Sequence, residues 1–70
     1  MMPLALCDVG EKNIIKKIGG NPETKKHLEN LGFVVGATVT IITSLAGNVI
    51  VNIKDSRIAI SEEMARKIMV

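Results

Sequence analysis

Residues 22–42 read PETKKHLENLGFVVGATVTII, and the fold turns on this stretch. A short helix, a glycine stop, a second glycine turn and a strand follow one another in it. Asn21 precedes the helix, where its side-chain oxygen suits a free helix-start N–H. Pro22 takes the first helical position, where a missing N–H does no harm, and Glu23 places negative charge in the first turn. Leu28 and Leu31 are spaced i,i+3 and share one face, with Thr24 and His27 at its border. Lys25, Lys26, Glu29 and Asn30 point elsewhere, and Lys25 with Glu29 has the spacing of a weak ion pair. Gly32 follows the last leucine, where a left-handed residue ends a helix. Phe33, Val34 and Val35 then run into Gly36, expected at a second left-handed turn position, and residues 38–42 are β-branched throughout. A one-sided helix this short is not stable alone, so its leucines must dock on the strands around it.

Outward from this stretch the chain reads as strands. On the N-terminal side, residues 13–18 (NIIKKI) form a strand candidate with Ile14 and Ile18 on one face. Gly19-Gly20-Asn21-Pro22 breaks it from the helix. Residues 3–6 are an edge segment or a turn. On the C-terminal side, Val39, Ile41 and Thr43 are expected to face the core, with Thr38, Thr40, Ile42 and Ser44 opposite. Ala46-Gly47-Asn48 is a hairpin turn, and Val49, Val51 and Ile53 form the next apolar face. Asp55-Ser56 is a tight turn, followed by a strand with Ile58 and Ile60 inward. Ser61 caps one helical turn through Glu62 and Glu63, and Ala65, Ile68 and Val70 close the chain, the last residues as a strand. The chain is therefore mostly β: about five short strands, one inserted short helix and a closing turn. Tight hairpins in so short a chain suggest a small barrel, since closure removes exposed edges.

Seventy residues make a single domain, 1–70. A chain of this length buries only about 60% of its unfolded surface, so its stability margin is thin. Hydrophobic residues make up 47%, with one Phe and no Tyr or Trp, which argues against disorder and for an aliphatic core. The net charge of +2 does not by itself imply nucleic acid. Cys7 is alone, so no internal disulfide and no paired-cysteine metal or redox motif exists. A small domain without disulfides fits the reducing cytoplasm. The start of the chain lacks a basic segment and its apolar run is too short for a secretory signal; Leu4-Ala5-Leu6-Cys7 resembles a lipoprotein cleavage box without the charged segment that box needs. No stretch approaches the ~20 apolar residues of a membrane span.

Candidate chemistry is sparse. Cys7 and His27 are a possible thiolate–imidazole pair, but they lie on different elements and nothing supplies an oxyanion hole; a half-buried thiol and a surface imidazole describe them better. Glu23 and His27, spaced i,i+4, bring two metal-ligand types together, whereas a built site needs three or four. The glycines match no phosphate-binding spacing. Lys16, Lys17, Lys25, Lys26 and Arg57 are available for a phosphate track, yet single-strand binders stack bases on aromatic rings and only Phe33 is offered. The expectation is no catalytic residue, no metal beyond the weak Glu23/His27 pair, no cofactor and no enzyme.

The order of helix, LGFVVGATV (31–39), RIAIS (57–61) and ARKIMV (65–70), with Pro3-Leu4 and Val9-Gly10-Glu11 at the start, resembles the FeoA family over nearly the whole chain. Where the family usually carries proline before the second glycine, this chain has Val35. The resemblance implies an SH3-like β-barrel with an inserted helix, working in the cytoplasm beside a membrane ferrous-iron permease that carries a GTPase domain. It implies neither iron binding nor hydrolysis by this chain, and no insertion into the membrane. The same shape resembles the C-terminal module of iron- and manganese-dependent repressors, which keeps a regulatory or nucleic-acid-associated role as the alternative. Weak self-association stays open.

A docking surface follows from that partner. Three consecutive apolar residues in a connecting segment cannot all face one core, and connecting segments run over the surface. The expected surface is therefore the helix edge with the 33–35 segment: Lys25, Lys26, Leu28, Phe33 and Val34. The competing expectation makes Phe33 the main core plug, with Leu28 and Leu31 holding the helix on the strands.

Overall fold

A computed structural model describes residues 1–70. Six strands form two antiparallel sheets. β1 (Lys12–Ile14), β3 (Thr38–Leu45), β4 (Asn48–Ile53) and β5 (Ser56–Ser61) make the larger, in the order β1-β3-β4-β5. β2 (Lys17–Ile18) and β6 (Ile68–Met69) make the smaller, extended by a bridge between Pro3 and Met69. A single 3-10 turn spans Leu4–Leu6, α1 spans Pro22–Asn30, and α2 spans Glu62–Ala65. The two sheets share one core of 14 buried residues, all apolar. No ladder joins β5 to the small sheet, so the ring expected of a barrel stays open there.

The helix forms and ends as its residues dictate. The Asn21 side-chain oxygen accepts from the Thr24 N–H at 2.8 Å, a cap worth about 1 kcal/mol. At the other end the Gly32 N–H donates to the Glu29 carbonyl at 3.0 Å and the Phe33 N–H to the Leu28 carbonyl at 2.9 Å. This pair of bonds is a Schellman motif, and it requires the left-handed residue that Gly32 supplies at φ +106°. The motif brings Phe33 back over the helix, and Leu28 and Phe33 are both 0% exposed. The Ala37 N–H donates to the Val34 carbonyl at 3.1 Å, closing a turn with Val35 and Gly36 at its centre. Gly36 has φ +92°, as a type II turn needs at its third residue. Context thus holds Val35 where a proline would be pre-set. The chain at Ile15 clamps the turn: the Gly36 N–H donates to its carbonyl at 2.8 Å, and its N–H donates to the Ala37 carbonyl at 2.9 Å.

That clamp corrects the reading of residues 13–18. They are not one strand with Ile14 and Ile18 on a common face. The run crosses from the large sheet to the small one, β1 pairing with β3 and β2 with β6. Crossing shifts the phase, so Ile15 and Ile18 are buried and Ile14 is 56% exposed. A second correction concerns Thr43. The β3–β4 register slips between Ile41 and Thr43, leaving Ile42 as an extra residue. A bulge turns the following side chain to the other face; Val39 and Ile41 point inward, whereas Thr43 lies opposite Ile50 and is exposed. The first hairpin turn lies where expected but is one residue shorter, on Ala46-Gly47, and the second sits one residue earlier than expected, on Lys54-Asp55; all four residues have positive φ. Ser61 caps α2 by accepting from the Met64 N–H at 3.1 Å.

Candidate docking surface

Three elements converge on one open groove. The β1–β2 crossing contributes Lys16 and Lys17, α1 contributes Lys25 and Glu29, and the glycine turn contributes Val34 and Val35. Val35 occupies the outer corner of its turn and is 67% exposed. Val34 is half-buried beside it. The expected Lys25–Glu29 pair does not form; the molecule's single ion pair joins Arg66 to Glu62 at 2.7 Å. The side chains of Lys16, Lys17 and Lys25 donate no hydrogen bond to any other residue. The groove therefore presents three uncommitted ammonium groups and one carboxylate around an apolar corner. Such a surface suits an acidic partner with a small apolar contact.

The structure divides the expected docking residues. Lys25 and Val34 lie in the groove. Leu28 and Phe33 do not belong to any surface: both are wholly buried, because the Schellman motif folds Phe33 onto the last turn of the helix. Lys26 projects to the opposite flank of α1, into a second concavity with Glu23, His27, Asn30 and Met64. Lys16 and Lys17 belong to the groove and stood outside the expected docking set, and Val35, part of the expected 33–35 segment but not singled out in it, belongs to the groove as well. The turn chemistry was the signal for Val35, since a side chain at the second position of a tight turn points away from the chain it reverses.

The other candidates also have places. Glu23 and His27 share the second concavity, and no group of three His, Cys, Asp or Glu side chains is close enough to hold a metal ion. Cys7 follows the 3-10 turn, its thiol 3.8 Å from the Pro3 carbonyl. Burial, then the carboxylates of Glu11 and Asp8, push its pKa above the ordinary value. That is the opposite of what a nucleophilic cysteine requires, and no hydrogen bond joins it to His27. The phosphate track does not assemble either. Lys16, Lys17 and Lys25 line the groove, but Lys26 is on the far flank and Arg57 stands across from Asn52 in the large sheet. With Phe33 buried, no aromatic face is open for base stacking.

Comparison with known proteins adds to this geometry. A family model described as the FeoA domain matches residues 2–70. A protein of Methanocaldococcus jannaschii, provisionally named Fe(2+) transport protein A, is 39% identical over 70 residues, spanning 100% of this chain and 85% of the relative. A crystal structure described as iron uptake regulatory protein (FeoA) superposes with a TM-score of 0.90 at 30% identity, covering 99% of this chain and 92% of that one. A zinc complex of FeoA from Stenotrophomonas maltophilia, described as an SH3 domain protein, gives 0.86 at 20% identity over 100% of this chain and 89% of that chain. A manganese-dependent transcriptional repressor gives 0.86 at 17% identity, over 94% of this chain but 38% of the repressor. At such identities the last two speak for the fold alone, and the fold is a small SH3-like one.

Proposed function

The chain belongs to the FeoA domain family, and on that footing we propose that it is a non-enzymatic accessory protein of ferrous-iron uptake that docks on the cytosolic side of the membrane ferrous-iron permease. The observation that carries the docking reading is the groove of Lys16, Lys17 and Lys25 around Val34 and Val35. Its partner is an acidic segment of the permease's cytosolic portion, with an apolar residue set against Val35. The cytoplasm is the compartment this reading requires. No helix of the chain is long and apolar enough to cross a membrane.

Titration of the protein against the isolated cytosolic portion of the permease tests this. Burying a valine contributes about 1.5–3 kcal/mol, so Val35→Asp is expected to weaken binding roughly ten- to hundredfold. Lys25→Glu is expected to weaken it in the same direction and to flatten its salt dependence. Both side chains are exposed, so unfolding midpoints should stay near the parent value. Unchanged binding in both folded variants would place the interface elsewhere. The regulatory alternative predicts duplex DNA binding whose affinity falls steeply with salt, and the likeness to repressors supports the shared fold only.

A further inference from the structure

β5 ends the large sheet, and no strand pairs with its outer edge. The two-residue turn at Lys54-Asp55 makes Ile53 and Ser56 the first pair of the β4–β5 ladder. In such a hairpin that pair is hydrogen-bonded, and bonded and non-bonded pairs then alternate. Ser56, Ile58 and Ile60 therefore bond to β4, while Arg57 and Ala59 turn their N–H and C=O groups outward. None of the 20 backbone bonds outside the regular elements involves either residue. Both are exposed, and the strand SRIAIS carries no proline and no bulge. Natural edges are blunted by such features; here only the Arg57 charge is present.

The charges around this edge are ordered. At its start, Lys54 and Arg57 outweigh Asp55, a net of +1; at its end, Glu62 and Glu63 open α2 with −2. Glu62 is engaged with Arg66, whereas Glu63 is exposed and unpaired. Antiparallel pairing of an edge with itself lays each start against the other's end. We infer that β5 is the seat of a second copy of this chain, two β5 strands pairing antiparallel about a two-fold axis through Ala59. In that register Ala59 faces the same residue of the other copy, and Arg57 faces Ser61 beside the first turn of the other α2. Each Arg57 then reaches an uncommitted Glu63, twice per dimer. The outward N–H and C=O groups of Arg57 and Ala59 gain partners, and the two large sheets become one.

Sedimentation equilibrium across a concentration series, with amide exchange on the same samples, tests the inference. The mass is expected to rise from one chain to two. Exchange at Arg57 and Ala59 should slow as it rises, while Ile58 and Ile60, already bonded to β4, should not change. Arg57→Glu and Glu63→Lys should each weaken association by about tenfold, from like charge at two symmetric positions. The double variant should return to near the parent value. Ala59→Pro, which removes an outward N–H, should abolish the dimer in any sample whose circular dichroism is that of the parent. A protein that stays monomeric to its solubility limit would overturn the inference. So would a dimer in which the two single charge variants change nothing, or one whose protected amides lie outside β5.

Discussion

Replacing Phe33 by alanine should remove most of the stability of the fold. The side chain is the only aromatic one and is 0% exposed. Its own N–H closes the Schellman motif on the Leu28 carbonyl, so the ring both fills the core and fixes how α1 meets the strands. Phe→Ala at such a site costs about 3–5 kcal/mol in lost transfer energy and cavity. At 0.05–0.15 kcal/mol per residue, a chain of this size holds only about 3.5–10 kcal/mol in all. In urea, where a small domain loses about 1 kcal/mol per molar, the midpoint should fall by about 3 M or more with an unchanged slope. If that variant is unfolded in buffer, Phe33→Leu serves instead, expected to cost about 1–2 kcal/mol. A Phe33→Ala midpoint within about 0.5 M of the parent, joined to lost permease binding, would refute the placement and return Phe33 to the surface.

Gly36→Ala should cost about 1 kcal/mol, from backbone conformation alone, because its φ is +92° and an added Cβ meets nothing within 4 Å. Gly20→Ala should cost more in the same thermal melts, since its φ is +93° and the added Cβ would lie 3.0 Å from the Lys67 side chain and 3.4 Å from Thr24. Equal costs at the two glycines would show that the Cβ clash has no energetic weight. Cys7, whose pKa is raised by burial and by Glu11 and Asp8, should react with iodoacetamide more slowly than free cysteine at neutral pH. Its rate should climb with pH to a midpoint above that of the urea-unfolded chain, because only the thiolate reacts; a midpoint below it would reverse the assignment. Chelation should leave the melting temperature unchanged, since no three ligand side chains converge, and a loss of several degrees would reveal ligands that this geometry does not bring together.

Local chemistry determined a good deal of this molecule directly. Asn21, Pro22 and Gly32 mark the two ends of α1, and the residues around Gly36 specify a turn, because caps and tight turns are settled by bonds between near neighbours in the chain. The alternation in β4 picks out Val49, Val51 and Ile53 for the core for the same reason. The SH3-like shape was legible only through the family pattern, since periodicity alone stops at a small set of antiparallel strands.

Tertiary structure decided whatever depended on distant partners. Ile14 and Ile15 are chemically alike, and only the crossing between sheets, pinned by Gly36 and Ala37, chooses which of them is buried. The bulge at Ile42 exists because β3 must match β4, so Thr43 faces outward against its own alternation. The same holds for the candidate docking surface. A run of three apolar residues showed that one must be exposed, but the Schellman motif buried Phe33 and the turn corner exposed Val35. Lys25 and Lys26 are neighbours in sequence and lie on opposite flanks of α1, because successive helical residues are about 100° apart. Lys16 and Lys17 reach Lys25 only because β2 pairs with the end of the chain, a contact between residues more than fifty positions apart in sequence that no local pattern encodes.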